Sequence, residues 1–250
     1  MKKILLGFAA IAALIGTPAL AADMPLKAPP PPPLINSWTG FYLGIEGGLN
    51  VGDGKATDVP LKLDETRTFG LAGGLFGGTI GYNWQIAPSW VLGAEADISW
   101  TDKTGTGVDI PPFNPVFSNQ FNEQWLATYR GRVGYLLTSD WLLYVTGGGA
   151  AASVQQNVFV GPPGPSISQT NTLWGWTVGT GVEGRIVGNW YAKVEYLFVS
   201  LTPSSYFNPA PVVPGATFVT GQAVHLVDDV IRFGINYKFD WMPAPVATKY

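Results

Sequence analysis

The 250-residue sequence contains no cysteine, a single histidine and few charged residues. The lack of cysteine excludes disulfides, thiolate metal sites and thiol nucleophiles. Lysine, arginine, aspartate and glutamate make up 12% of the chain, whereas soluble domains carry about a quarter. Aromatic residues reach 13%, so the low charge does not indicate disorder. The composition argues against an ordinary water-exposed surface.

The N-terminus has the three parts of a secretory signal peptide. Two lysines precede an apolar run over 4–15, and an Ala-Leu-Ala cleavage site follows. We therefore expect a signal peptide over residues 1–22, cleaved after Ala21 or Ala22. Its removal takes two of the 14 basic residues and leaves 17 acidic ones, a net charge of −5. This balance gives no electrostatic reason to expect nucleic acid as a partner.

The mature chain offers no long hydrophobic run. No stretch after the signal peptide approaches 18 uncharged apolar residues, so no transmembrane helix is predicted. Residues 23–37 contain five consecutive prolines, which predicts an extended polyproline II linker in the periplasm. Docking of this segment onto a periplasmic partner is the alternative.

Several segments alternate apolar and polar residues, which is the period of a strand with two different faces. In WYAKVEYLFV, Trp190 and Tyr196 share one face, whereas Lys193 and Glu195 share the other. The same separation recurs in segments 40–50, 90–100, 125–135, 174–186 and 230–239, and two glycine-rich runs around 73–86 and 141–154 alternate more weakly. The sequence therefore predicts eight strands.

Two kinds of barrel fit this alternation: a soluble barrel with its apolar face inside, and an outer-membrane barrel with that face against lipid. Aromatic residues bracket the apolar face ten residues apart, as at Trp90 and Trp100. That spacing rises roughly 26 Å along a tilted strand, which matches an apolar band with an aromatic girdle at each rim. Ten tryptophans would also have little room inside a small barrel.

The connections alternate in length as well. Three are short, and four are long, at about 52–70, 102–120, 157–170 and 202–222. Short periplasmic turns and long external loops are typical of membrane barrels. We predict an all-β, eight-stranded antiparallel up-and-down transmembrane β-barrel. It is expected to span residues 38–239, with a periplasmic tail over 240–250 and both termini in the periplasm.

The charged residues of the polar face are predicted to meet inside this barrel. An eight-stranded barrel is just wide enough for side chains to fill, and an isolated buried ion costs several kcal/mol. We therefore expect an ion-pair network that plugs the lumen; a charged ring that selects ions is the alternative. The predicted members are Glu46, Glu95, Asp97, Arg130, Arg132, Glu183, Arg185, Lys193, Glu195 and Arg232.

Counting inward from the aromatic rims gives a register for two strands. Glu95 falls opposite Arg130, and Asp97 and Arg132 are expected to reach this pair diagonally. The girdle itself is predicted to comprise Trp84, Trp90, Trp100, Trp125, Tyr135, Trp141, Trp174, Trp190 and Tyr237.

Other motifs are weaker. Residues 179–184 fit G-x-G-x-x-G, but they lie inside an alternating strand, so their glycines are interpreted as relieving crowding in a narrow barrel. His225 is interpreted as a solvated residue at a loop edge; a catalytic or haem-ligating role is the alternative. Asp228 and Asp229 form a pair that could bind a divalent cation weakly. We predict no catalytic residue, metal site or cofactor.

The segments SWTGFYLGIEGG, IGYNW, WLLYVTGG, GWTVGTGVE, WYAKVEYLFV and VIRFGINYKF resemble the alphaproteobacterial outer-membrane immunogenic proteins. These are small porin-like members of the OmpA/OmpX-like barrel superfamily, and the resemblance spans roughly 38–239. It implies a structural, non-enzymatic protein that contributes to envelope integrity and exposes antigenic loops. Some relatives are reported to bind haem, but no histidine-rich loop here supports extending that property to this chain.

The resemblance also implies partners. These are outer-membrane lipid and lipopolysaccharide, the barrel-assembly machinery, and peptidoglycan or host surfaces. Such barrels usually end on an aromatic residue that serves assembly, and Ile235, Tyr237 and Phe239 are expected to form that signal. The alternatives to a structural role are a narrow passive pore, a lipid-modifying enzyme, and a receptor or adhesin acting through loops 102–120 and 202–222.

Overall fold

The computed structural model describes residues 37–59, 61–112, 117–160, 166–203 and 221–239. The predicted signal peptide, the linker apart from Ser37, and the tail after Phe239 lie outside the described residues. In the part of the chain that is described, no helix has the length and apolarity needed to cross a membrane.

The described regular structure is β, with eight long strands and two short ones. The strands are β1 Gly40–Asp58, β2 Leu63–Asp64, β3 Phe69–Ala87, β4 Trp90–Thr101, β5 Thr104–Val108, β6 Phe117–Leu136, β7 Trp141–Val160, β8 Ser166–Val187, β9 Trp190–Pro203 and β10 Gln222–Lys238. The short strands are β2 and β5, which extend the sheet beside β1 and β6.

The eight long strands close into a ring. Each pairs antiparallel with its neighbours in the ring, and β1 pairs with both β3 and β10. Leu43 of β1, for example, lies opposite Tyr237 of β10 and Ile80 of β3. Closure pairs the backbone groups that an open sheet would leave free at its edges. The predicted all-β, eight-stranded antiparallel up-and-down architecture is confirmed.

The register between β4 and β6 is the one predicted from the aromatic rims. Trp90 lies opposite Tyr135, and Trp100 lies opposite Trp125. Between these rims, Glu95 lies directly opposite Arg130. This part of the prediction is confirmed.

The strands extend further into the predicted long loops than expected. β1 continues to Asp58, β7 continues to Val160, and β8 begins at Ser166. In this outer part the apolar and polar faces exchange sides: Val154 and Leu173 are buried, whereas Thr170 is exposed. The loss of an apolar outer face explains why the alternation used for prediction ended too early.

The middle of the ring has an apolar outer face. Leu43, Ile80, Val145, Val194 and Phe233 are between 48% and 61% exposed. Large apolar side chains form a continuous exposed surface where a protein contacts lipid, so we assign this face to the membrane.

Ala94→Arg tests the assignment of this face. Ala94 is exposed on β4 between the two aromatic rims, so an arginine there should lower the free energy of unfolding by about 2–4 kcal/mol. Thr170→Arg on the polar outer part of β8 is the control, with an expected change of about 0.5 kcal/mol or less. Urea unfolding in lipid vesicles measures both. Equal tolerance at the two positions would show that Ala94 does not face lipid.

Candidate functional site in the barrel interior

Charged side chains converge at mid-height inside the ring. They are 1–6% exposed and form what we call the central network. Its nine members are Glu46, Glu95, Asp97, Arg130, Arg132, Glu183, Lys193, Glu195 and Arg232. They come from six strands because every strand sends alternate side chains inward.

Arg232 of β10 makes close contacts with three carboxylates and lies 3.8 Å from a fourth, Glu95. Its Nη1 lies 2.5 Å from Glu46 Oε1 and 2.9 Å from Asp97 Oδ1. Its Nη2 lies 2.6 Å from Glu195 Oε2. The planar guanidinium has five N–H donors in a fixed fork, which is why arginine can bridge several carboxylates where lysine is only a point charge.

Arg130 of β6 makes a similar bridge. Its Nη2 lies 2.5 Å from Glu95 Oε1 and 2.9 Å from Asp97 Oδ2. Its Nη1 lies 2.8 Å from Glu195 Oε1. The two arginines therefore share Asp97 and Glu195. If either arginine is removed, these two carboxylates keep one bridging arginine instead of two.

Lys193 and Arg132 complete the basic half of the network. Lys193 Nζ lies 3.1 Å from Glu95 Oε1 and 3.3 Å from Glu46 Oε2. Arg132 Nη2 lies 2.8 Å from Glu183 Oε2, and its Nη1 lies 3.5 Å from Glu95 Oε2. Four bases thus face five acids.

Neutral donors add further hydrogen bonds to the five carboxylates. The Tyr42 hydroxyl donates to Glu95 at 2.6 Å, and the Tyr144 hydroxyl donates to Glu195 at 3.0 Å. Three shorter side chains do the same: Ser99 donates to Glu46, Thr128 donates to Asp97, and Asn236 donates to Glu183. Such donors offset part of the desolvation cost of buried carboxylates.

Arg185 is a correction to the predicted network. It lies two residues beyond Glu183, where β8 nears its end and its pairing with β9 shifts register. There its Nε lies 3.5 Å from Asp140 in a short turn, and its side chain is 21% exposed. Its guanidinium also lies 5.8 Å from the ring centre of Tyr191. Arg185 was predicted from strand parity alone, which gives no height along the barrel.

A second ion cluster, missed by the sequence analysis, lies nearer the long-loop end. Lys103 Nζ contacts Asp228 and lies 3.0 Å from Glu123 Oε2, while Asn50 donates to Glu123 at 3.1 Å. All four residues are at most 1% exposed. Asp228 shares the parity of Arg232 and was therefore detectable. Glu123 was not, because a bulge between Glu123 and Trp125 reverses the parity of β6.

Apolar side chains fill the interior around and beyond this second cluster. Members include Leu126, Leu173, Leu197 and Leu226, all at most 2% exposed. The rings of Phe69 and Phe121 stack there with centres 4.9 Å apart. The outer half of the interior is therefore a packed core, with the second cluster embedded in it.

Trp38 closes the opposite, short-turn end. It precedes β1, is 1% exposed, and packs against Tyr191 with ring centres 4.9 Å apart. Its Nε1 donates to the Ser139 carbonyl at 3.1 Å, and its backbone N–H donates to the Gln85 side chain at 3.0 Å. Nothing in the sequence pattern marked this residue, because it lies outside the alternating strands.

Trp38→Phe is expected to lower the free energy of unfolding by about 1–2 kcal/mol. Phenylalanine keeps an apolar ring but leaves the Ser139 carbonyl without its donor. Urea unfolding measures the change. An unchanged stability would show that the indole hydrogen bond contributes nothing to closing this end.

The predicted girdle residues lie in two sets on the outer face. Trp84, Trp90, Tyr135, Trp141, Trp190 and Tyr237 lie towards the short-turn end, and Trp100, Trp125 and Trp174 lie towards the long-loop end. Seven are 45–62% exposed, and Trp125 and Tyr237 are half-buried. Two cross-strand ring pairs, Trp90 with Tyr135 and Trp190 with Tyr237, lie at the short-turn end.

The weaker motifs resolve as follows. Residues 179–184 lie inside β8, and a side chain at Gly181 would come within 2.5 Å of the Tyr144 ring. His225 is exposed on β10. Asp228 and Asp229 point to opposite sides of the sheet, so the paired cation site considered from sequence is wrong: Asp228 contacts Lys103, and Asp229 accepts from the Tyr196 hydroxyl.

Among the described residues, no group of three or more histidine, aspartate or glutamate side chains could hold a metal ion. Of the predicted loops, 104–108 forms β5, whereas most of 202–222 lies outside the described residues.

A closed antiparallel ring with an apolar outer face, aromatic rims and a charged interior is the structure of an outer-membrane β-barrel. The chain belongs to the outer membrane protein beta-barrel domain family, whose model matches residues 8–239. The protein is therefore located in the outer membrane, as predicted.

Named relatives agree. The chain is 33% identical over 251 residues to the 31 kDa outer-membrane immunogenic protein of Brucella melitensis biotype 1, covering 96% of this chain and 100% of the relative. It is 30% identical to the 22 kDa outer membrane protein of Rhizobium leguminosarum bv. viciae, and the match covers 81% of this chain and 79% of the relative. The resemblance noted from the sequence is confirmed.

A solved structure supports the fold alone. The outer membrane protein OprG from Pseudomonas aeruginosa is 14% identical, with a TM-score of 0.50 over 80% of this chain and 97% of that chain.

Proposed function

We propose that this protein is a non-conducting structural barrel that contributes to the integrity of the outer membrane. The observation that carries the proposal is the filled interior. Trp38 occupies one end, the central network occupies the middle, and the packed core with the second ion cluster occupies the outer half. A continuous water path would have to displace buried ion pairs, each of which is costly to break.

The orientation follows from the lengths of the connections. Short turns face the periplasm and long loops face outward in bacterial barrels. We therefore place both termini in the periplasm, after cleavage of a signal peptide over 1–22. The linker over 23–37 would then reach towards peptidoglycan, and the tail over 240–250 would remain on the same side.

We also propose the partners of the outer face. The exposed apolar band and its aromatic rims suit lipid and lipopolysaccharide. Ile235 and Phe239 are 45% and 42% exposed on the same face as Tyr237, which leaves them accessible to the assembly machinery before insertion. Immunogenicity, named for the Brucella relative, would reside in the outward loops.

No enzymatic activity or cofactor is part of the proposal. The central network is committed to ion pairs inside the barrel, where an external lipid substrate would not reach it. His225 lies exposed on β10, and it is the residue on which a catalytic or haem-binding alternative would depend.

A deletion strain tests the proposed role. Loss of the gene should increase sensitivity to bile-salt detergents, and the wild-type gene should restore resistance. His225→Ala is the matched control: it should restore resistance fully if the role is structural. Unaltered detergent sensitivity of the deletion strain would contradict the proposal. A folded His225→Ala protein that fails to restore resistance would favour the enzyme or haem alternative.

A further inference from the structure

At the long-loop end, two connecting segments meet across the mouth of the barrel. Thr66, which follows β2, forms a β-bridge with Asp109, which follows β5. The backbone N–H of Ile110 donates to the Glu65 carbonyl at 2.8 Å, and that of Glu65 donates to the Ala56 carbonyl at 3.0 Å. We call this junction of residues 65–66 and 109–110 the outer latch.

A chain of side chains fixes the latch to three strands. The Glu65 carboxyl is joined to Gln222 of β10, and Gln222 is joined to Gln156 of β7. Gln156 donates to Asn119 of β6 at 2.9 Å, and Asn119 donates to Asp109 at 2.7 Å. These five side chains are 0–6% exposed. This series of hydrogen-bonded side chains begins at the Glu65 carboxyl, passes through three neutral amides and ends at the Asp109 carboxyl.

No base among the side chains described at this end balances these acids. The residues facing Glu65 are Asp58 of β1, Asp109 and the neutral amide of Gln222. The basic side chains nearby lie at the surface: Lys62 and Arg67 are exposed, and Lys55 pairs with Asp64 at 2.8 Å where both are about half-exposed. His225 of β10 is also exposed.

At the latch, two buried carboxylate oxygens have no hydrogen-bond partner among the described residues, Oδ2 of Asp58 and Oε2 of Glu65. An ionised carboxylate is costly in such a place, and a protonated one costs much less. In the central network, bridging arginines and hydroxyl donors stabilise the buried acids. At the latch, side-chain amides take their place.

Burial is the main cause that raises the pKa of Glu65 to about 8, the nearby acids Asp109 and Asp58 contribute in the same direction, and the hydrogen bond from Gln222 opposes them. Burial also raises the pKa of Asp109 to about 7. In the unfolded chain both carboxyls have ordinary pKa values near 4. The stabilisation of the closed latch is therefore complete below about pH 4 and is lost as the pH rises through 7 to 8.

We propose that Glu65 and Asp109 form a proton-operated latch, closed when both carboxyls are protonated and opened when both are ionised. Ionisation places two uncompensated negative charges close together beside the Asp58 carboxyl, in a buried site where the amides of Gln222 and Asn119 are the side-chain donors. The loops on either side then separate at the mouth, while the central network below keeps the barrel closed.

Hydrogen exchange in lipid nanodiscs tests the latch. The protection factors of the Glu65 and Ile110 amides, corrected for intrinsic exchange, should fall about tenfold or more between pH 6 and pH 9, since each unit of pKa elevation corresponds to a factor of ten. The Ala96 amide in β4 is the internal control and should not change. A wild-type latch with equal protection at both pH values would overturn the proposal.

The variant Glu65→Gln with Asp109→Asn removes both titrating groups and keeps their shape. Its latch amides should show the same protection at pH 6 and pH 9. Retention of the full wild-type pH dependence in this variant would also overturn the proposal. The two single substitutions, each expected to remove part of the pH dependence, decide the matter if the double variant fails to insert.

Discussion

Arg232→Met should lower the free energy of unfolding by about 3–5 kcal/mol, because it leaves five buried acids with three bases. Three acids, Glu46, Asp97 and Glu195, lie within 2.9 Å of this guanidinium. Methionine fills a similar volume, so the loss reports charge rather than a cavity. Urea unfolding in lipid vesicles is the measurement.

Arg185→Met is the matched control for that experiment. It makes the same chemical change at an arginine whose Asp140 partner is 46% exposed, where an ion pair contributes about 1 kcal/mol or less. If the two variants lose the same stability, the central network does not hold the interior together in the way proposed.

The second large effect is that a second substitution should restore part of the stability that the first one removes. Arg130→Ala should cost about 3–5 kcal/mol, because it takes one of the four bases from a network of five acids. Adding Glu95→Ala to it removes one of the carboxylates that lose their contact with Arg130 and leaves three bases with four acids, so the double variant should be more stable than Arg130→Ala alone.

The comparison also needs Glu95→Ala by itself. This change leaves Arg130 with Asp97 and Glu195 at 2.9 and 2.8 Å, so it should cost less than Arg130→Ala. The unfolding temperature of the heat-modifiable band on gels orders the three variants. A double variant that shows the additive sum of the two singles would mean that the groups do not interact.

The membrane-embedded half of the fold could be predicted because lipid imposes a simple rule on the sequence. A strand that meets lipid on one side and a filled interior on the other must alternate apolar and polar residues. Aromatic rims then fix the register, which is how the pairing of Glu95 with Arg130 was predicted and confirmed.

The outer half could not be predicted in the same way, because its surroundings change. Where the strands leave the lipid, the interior becomes apolar and the outer face becomes polar, as at Leu173 and Thr170. The bulge beside Glu123 reverses parity within β6. The alternation rule therefore missed Glu123, and it missed Lys103 because this residue lies between β4 and β5, outside the alternating segments. Their partner Asp228 has the parity of Arg232, but it was considered only as a pair with Asp229.

The positions of chain segments outside the strands could not be predicted from the alternation pattern, for a different reason. Trp38 precedes β1, and the outer latch forms from Glu65 and Asp109 beside the short strands β2 and β5. Their positions depend on contacts between residues that are distant in sequence. Alternation along one segment carries no information about such contacts.

Planar-bilayer recording on the purified, folded protein tests the central claim that the interior is closed. The filled interior predicts bilayers that remain at baseline current at neutral pH, even at high salt and with insertion verified independently. A steady single-channel conductance of uniform size from the wild-type protein would contradict the claim and favour a narrow passive pore.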